Sequence, residues 1–128
     1  MEKMNVKPAT GKLGVLCVGL GAVTSTFMTG VLMARKGLAK PVGSMTQYDK
    51  MRVGRGENKK YLHYGEIVPL ANLNDIVFGA WDVYPANAYE SAVNAEVLKE
   101  KDINPVKDEL EKIVPMKAAF DHTTREGP

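Results

Sequence analysis

Cysteine is almost absent from this chain: the single one, Cys17, cannot close an internal disulfide. It sits in an apolar run with no histidine or aspartate beside it, so it reads as a small buried hydrophobe in a reducing compartment, not as a nucleophile. Histidine is nearly as scarce, and His63 and His122 lie far apart, outside any Cys/His/Asp cluster with metal-ligand spacing. Charge of one sign is lacking too. Seventeen Lys and Arg against fifteen Asp and Glu leave a net charge of +2, without the basic run that a nucleic-acid or polybasic membrane surface requires. No internal repeat or low-complexity segment is present. What is there, 128 residues with 45% apolar and 25% charged content, is the composition of a soluble domain able to bury a core.

One stretch admits a rival reading. Leu13 to Ala34 is twenty-two residues without a charge, preceded by Lys3, Lys7 and Lys12. That length suits a membrane span, and a basic lead before an apolar stretch also suits a signal peptide. Against both, Gly14, Gly19, Gly21 and Gly30 with Thr24, Ser25, Thr26 and Thr29 dilute its hydrophobicity. The period also changes within it, which argues for two soluble elements and no membrane partner.

Residues 1–12 form a polar arm, and residues 13–128 the domain. Leu13-Gly14-Val15-Leu16-Cys17-Val18 reads as a strand covered on both faces, as in a parallel sheet. From Ala22, Val23, Phe27, Val31 and Ala34 mark one helical face, with Arg35 and Lys36 suited to the carboxyl end and Gly37 to a cap. Between Lys40 and Gly65 one or two strands are expected, joined by an exposed turn at Gly54-Arg55-Gly56-Glu57-Asn58. Ile76-Val77-Phe78 is a second buried strand, running into Gly79-Ala80-Trp81-Asp82. Asn87 with Glu90 forms a capping box for a helix whose face is Ala88, Ala92 and Ala95. Pro105 is expected to start a third helix with Val106, Leu110, Ile113 and Val114 on its apolar side, stopped by Pro115. Residues 117–120 begin another strand. The alternation predicts an α/β protein, a Rossmann-like fold with a mainly parallel sheet that is incomplete in this chain.

The chemistry gathers at two strand ends. Gly19-Leu20-Gly21 follows the first strand, where Gly19 permits a tight turn and Gly21 lets the backbone approach a pyrophosphate. Ala22, Val23 and Thr24 then open a helix whose positive end faces the same ligand. Thr24 stands where the third glycine of G-x-G-x-x-G belongs, so the motif gains meaning only from its strand-turn-helix setting; a plain packing turn is the alternative. Asp82, past the second strand, suits ribose hydroxyls that donate to its carboxylate. It equally suits a turn in which it bonds its own backbone. Asp49, near the spacing usual for the ribose acid, falls in an irregular stretch. Arg55, Lys59 and Lys60 read as solvated loop charges, not as a pocket for a ribose 2′-phosphate.

Taken together, these segments resemble the inositol-phosphate synthases (myo-inositol-1-phosphate or inositol-3-phosphate synthase). The resemblance runs through Leu13-Gly14-Val15, Val18-Gly19-Leu20-Gly21, Gly43-Ser44-Met45-Thr46-Gln47 and Val68-Pro69-Leu70. It continues in Asn74-Asp75-Ile76-Val77-Phe78-Gly79-Ala80-Trp81-Asp82, Ile113-Val114-Pro115-Met116 and Phe120-Asp121. Two departures stand out. The glycine loop is the compact Gly21-Ala22-Val23-Thr24, where many members carry a longer one with asparagine, and Ala80 replaces a usual glycine.

The resemblance implies NAD as cofactor, with Gly19, Leu20, Gly21, Ala22, Val23, Thr24 and Asp82 as its binding residues, in a cytoplasmic isomerase of inositol and phospholipid biosynthesis. It implies glucose 6-phosphate as substrate, oxidised, enolised, closed by an intramolecular aldol step and reduced again, in a homo-oligomer, a tetramer by family pattern. The family's catalytic lysines and acids come from a region beyond these residues, so the chain is expected to hold the cofactor without turning over. Two other readings remain: a non-catalytic interaction module assembling through the alanine face of residues 88–98, and a stand-alone dehydrogenase, for which no proton-transfer pair is visible. The incomplete sheet further predicts marginal stability or self-association.

Overall fold

The computed structural model describes residues 5–119. Phe120, Asp121 and His122 lie outside them; of the strand expected at 117–120, residues 117–119 are described, and only Lys117 is in a strand, one that begins a residue earlier at Met116. Strand β1 (Leu13–Val18) has the expected limits. It pairs in parallel with β4 (Ile76–Asp82), Leu13 opposite Ile76 and Val18 opposite Trp81. A short β5 (Met116–Lys117) joins the other edge of β4 in parallel, giving the order β1-β4-β5. Parallel neighbours need a crossover, and the helix α1 (Ala22–Arg35) begins it directly after the glycine turn. The same crossover contains α2 (Met45–Tyr48), an antiparallel hairpin of β2 (Lys50–Val53) and β3 (Lys60–His63), and α3 (Tyr64–Ile67). The hairpin turns where Gly54 to Asn58 predicted, whereas α2 and α3, a single turn each, are too short to leave a periodic signal. The amino end of α3 is closed locally, where the His63 N–H donates to Glu66 Oε2 at 2.7 Å.

On the return side come α4 (Ala88–Ala95), α5 (Glu100–Ile103) and α6 (Lys107–Glu111). The capping box is formed: Glu90 N–H donates to Asn87 Oδ1 at 2.9 Å, and Asn87 N–H to Glu90 Oε2 at 3.0 Å. The helix stops at Ala95 instead of reaching residue 98, because Glu96 adopts a left-handed φ of 54°. The third helix also departs from expectation. Helical structure begins at Glu100, ahead of Pro105, which sits in a 3-10 turn (Asn104–Val106) between α5 and α6. Val106 and Leu110 are fully buried as predicted, but Val114 is exposed beyond the helix end.

The buried face of α1 overlaps its apolar stripe only in part. Val31 is buried as expected, but Val23 is 85% exposed and Phe27 half exposed, while Ser25, Met28, Thr29 and Leu32 complete the inward face. Two hydroxyls can occupy the core because each bonds the preceding turn: Thr29 Oγ1 donates to Ser25 O at 2.7 Å and Ser25 Oγ to Ala22 O at 3.3 Å. At its carboxyl end, Leu38 N–H reaches Met33 O at 3.0 Å and Gly37 N–H reaches Ala34 O at 3.1 Å. That is a Schellman close, with Gly37 at φ 68°. Arg35 ties this end to the start of β4 by donating to the carbonyls of Leu73 and Ile76, its guanidinium lying 5.7 Å from the centre of the Phe78 ring. No helix among the described residues is long and apolar enough to cross a membrane.

The core gathers Leu20, Met28, Leu32, Ala80, Ala88, Ala92, Ile103, Val106 and Leu110, with Cys17 and Phe78 partly buried against it. Strand residues alternate, so Val15, Cys17, Phe78 and Ala80 turn toward the helices and Leu16, Val18 and Val77 turn away. Leu16 is 59% and Val18 90% exposed. The expectation of a strand covered on both faces is therefore corrected: among the described residues β1 is covered on one. An apolar run shows that a face suits burial but not which segment buries it. Ala88 and Ala92 are buried within the chain, which removes the alanine face of α4 as a free assembly surface.

Candidate functional site

Parallel pairing of β1 and β4 brings their carboxyl ends to the same edge of the sheet, where ligands bind in open α/β folds. The turn after β1 is fixed by backbone first. Gly19 N–H donates to Trp81 O at 2.7 Å, continuing the β1 to β4 ladder one residue beyond the strand. Gly19 has φ 96°, and a Cβ built on it would meet nothing within 4 Å. Its glycine is thus demanded by backbone conformation and not by space. Leu20 follows with its side chain 4% exposed in the core.

Gly21 is the N-cap of α1, and no side chain caps the helix. Gly21, Ala22 and Val23 are exposed. The first α1 bond runs from Ser25 N–H to Gly21 O at 3.0 Å, so the amides of the first turn lack an intrahelical acceptor. That turn carries no acidic side chain, and its partial positive charge is left for an anion.

Asp82 closes the arrangement from the end of β4. Its Oδ2 accepts the Leu20 N–H at 2.7 Å, and its Oδ1 accepts the Tyr84 N–H at 2.9 Å. The second bond is the turn within its own segment that sequence allowed; the first spans the two strand ends. Leu20 accordingly contributes a buried anchor, its N–H already engaged. A carboxylate offers about four acceptor positions, so these bonds leave capacity for a hydroxyl donor.

An open cleft of about 430 Å³ lies over these groups, lined by Leu20, Gly21, Ala22, Asp82 and Tyr84 and by Ser91 and Asn94 of α4. Gly19 supports the turn from behind, and Val23 and Thr24 stand on the first turn of α1 without lining the cleft. Tyr84, Ser91 and Asn94 escaped sequence reading. The spacing of Ser91 and Asn94 places them on one side of α4, but only the tertiary fold aims that side at the turn. Asp49 caps α2 and takes no part in the cleft. Arg55, Lys59 and Lys60 are exposed around the hairpin, as solvated charges should be. Among the described residues no group of three or more His, Cys, Asp or Glu could hold a metal ion.

The Asp82 carboxyl is held below its ordinary value of 3.8, chiefly by the Tyr84 N–H, then by those of Leu20 and Val83, while partial burial opposes them. Glu109 is likewise held below 4.5, first by the hydrogen bond from Lys36, whose Nζ lies 2.6 Å from Oε1. A carboxyl depressed in the folded state stabilises that state above its unfolded pKa and loses the contribution as pH falls through the folded pKa. Urea midpoints are therefore expected to hold steady above about pH 5.5 and to fall below the two ordinary values, with a shallower fall in Asp82→Asn and Glu109→Gln. Identical acid profiles in the variants would contradict this.

The site can hold an anion at uncapped amides beside a carboxylate whose charge is already offset by two N–H donors. Those donors and acceptors suit a dinucleotide: pyrophosphate at the helix end, ribose hydroxyls at Asp82. Asp82 and Tyr84 are the titratable side chains lining the cleft, and Asp82 is tuned to remain ionised.

A family model of an NAD-binding domain, described as myo-inositol-1-phosphate synthase, matches residues 13–125. Inositol-3-phosphate synthase 1 of Bacteroides thetaiotaomicron is 61% identical over 121 residues, covering 94% of this chain and 28% of the relative. Isozyme 1 of Arabidopsis thaliana is 34% identical over 125 residues, covering 86% and 24%. The crystal structure of inositol-3-phosphate synthase from Caenorhabditis elegans superposes with a TM-score of 0.76 at 26% identity, over 90% of this chain and 25% of that one. The chain thus spans about a quarter of the length of these relatives.

Proposed function

Since the chain belongs to the myo-inositol-1-phosphate synthase family and carries its NAD-binding part, we propose that the cleft over Gly19–Thr24 and Asp82 is where the dinucleotide is held. The observation that carries this reading is the uncapped first turn of α1, presented by the Gly19 turn at the carboxyl end of β1. Gly21, Ala22, Val23 and Thr24 direct backbone N–H groups at the pyrophosphate, and Asp82 accepts from ribose hydroxyls with its remaining acceptor capacity. Tyr84, Ser91 and Asn94 also line the cleft.

Bound there, NAD supplies hydride acceptance and return for the conversion of glucose 6-phosphate to inositol phosphate, by oxidation, enolisation, intramolecular aldol closure and reduction. The chain's own residues bind and orient. The cations and proton-transfer groups that stabilise enolate and phosphate come from sequence that these residues do not match. The working assembly is a homo-oligomer in the cytoplasm, a setting that suits the free Cys17.

Isothermal titration of NAD into the 128-residue chain and its Asp82→Ala variant tests the site. Truncating a hydrogen-bonded carboxylate is expected to weaken binding by about tenfold to a hundredfold. Undiminished affinity would remove Asp82 from the site, and consumption of glucose 6-phosphate by the purified chain would refute its assignment as a purely cofactor-holding part.

A further inference from the structure

We infer that Asp82 is a positioning residue for the anion site: a clasp from the end of β4 that sets the glycine turn through the backbone N–H of Leu20. The inference rests on the anion reading of the α1 amino end given above and adds a second job for the same carboxylate, done before any ligand arrives.

The turn has few other means of being held. Gly19, Leu20 and Gly21 carry no polar side chain, and between β1 and α1 the bonds that reach across to β4 are two: Gly19 N–H to Trp81 O, and Leu20 N–H to Asp82 Oδ2, both 2.7 Å. The first fixes where the turn leaves the sheet. The second fixes the plane of the Gly19–Leu20 peptide, which Gly19 at φ 96° turns away from the strand peptide before it; the next peptide, whose N–H belongs to Gly21, hangs from that fixed plane through the Leu20 Cα. The buried Leu20 side chain pins the same residue from the core side. Asp82 is itself held by the Tyr84 N–H at 2.9 Å, so its carboxylate cannot swing away without breaking a second bond. The clasp also turns the carboxylate's charge toward two amide donors at the edge of a site built for an anion.

Positioning and simple electrostatics predict opposite signs. If Asp82 acted near the pyrophosphate only as a charge, neutralising it would strengthen anion binding; if it acted only on ribose hydroxyls, an anion without ribose would not sense it. A clasp predicts weaker binding of inorganic pyrophosphate when Asp82 is neutralised. The test compares the 15N-labelled 128-residue chain with Asp82→Asn by amide exchange and by titration with inorganic pyrophosphate.

Without ligand, the Leu20 amide is expected to exchange about tenfold faster in the variant, while the Ile103 and Leu110 amides keep their rates. Pyrophosphate is expected to bind at least about threefold more weakly. An unchanged Leu20 rate, or pyrophosphate bound as well or better, overturns the clasp. Failure of the unmodified chain to bind pyrophosphate, with Leu20 exchange accelerated as expected, overturns instead the anion site and, with it, the positioning role. Should Asp82→Asn not fold, Asp82→Ser, which can keep the turn to Tyr84 through its hydroxyl but not both amides, carries the same comparison.

Discussion

Gly19→Val is expected to lose NAD binding by roughly tenfold to a hundredfold and to lower stability by about 1–3 kcal/mol, the cost of forcing a β-branched residue into a left-handed conformation. Gly19 sits at φ 96°, and the space around it is open, so the penalty comes from backbone conformation and not from collision. The chain can relieve the strain only by rotating the turn. Rotation pulls Gly19 N–H from Trp81 O and Leu20 N–H from Asp82 Oδ2, and redirects the first-turn amides of α1.

Gly21→Ala separates the two effects. Gly21 has φ −103°, which any residue adopts, and a Cβ there meets nothing within 4 Å of the protein. Its stability change is expected to stay within about 0.5 kcal/mol, while the methyl group holds a pyrophosphate away from the backbone. Urea unfolding and NAD titration on both variants check the pair. Equal affinity in Gly19→Val and the unmodified chain would show that the turn does not shape the site.

Leu110→Ala is expected to cost about 2–5 kcal/mol, by lost burial and by the cavity left behind. Leu110 is fully buried in α6, in a cluster with Ile103, Val106, Met28 and the alanines of α4. That cluster is what seats α4 against α1, and α4 supplies the Ser91 and Asn94 wall of the cleft. Against a typical total of about 5–15 kcal/mol, such a loss brings the chain near its unfolding threshold. Val97→Ala, at a position 59% exposed, should change stability by under about 0.5 kcal/mol. A urea midpoint for Leu110→Ala no lower than that of Val97→Ala would mean the core is organised differently.

The parts legible in sequence are those whose physics is local. β1 showed as an apolar run closed by glycine, the hairpin turn as a glycine and asparagine cluster, and the Asn87–Glu90 box as two residues three apart. The place of Asp82 at a strand end was legible from the apolar run before it, and NAD because the flanking segments carry a family likeness. The rest depended on contacts distant in sequence. Thr29 and Ser25 are polar yet core, since each hydroxyl finds an acceptor one turn back, and this rotated the buried face of α1 away from Val23 and Phe27. Pro105 interrupts a helical run that starts before it, because a 3-10 turn tolerates it there. The bond between Asp82 and Leu20, and the approach of Ser91 and Asn94 to the glycine turn, follow from the β1 to β4 register and the packing of α4, which no local pattern encodes.

An amide-resolved titration of the 15N-labelled chain with NAD addresses the central claim most directly. Shifts are expected to concentrate at Gly19 to Thr24 and at Asp82 to Tyr84, with smaller ones at Ser91 and Asn94. Shifts confined to the separate cavity beside Phe27, Pro41 and Gln47, or none at saturating NAD, would contradict it.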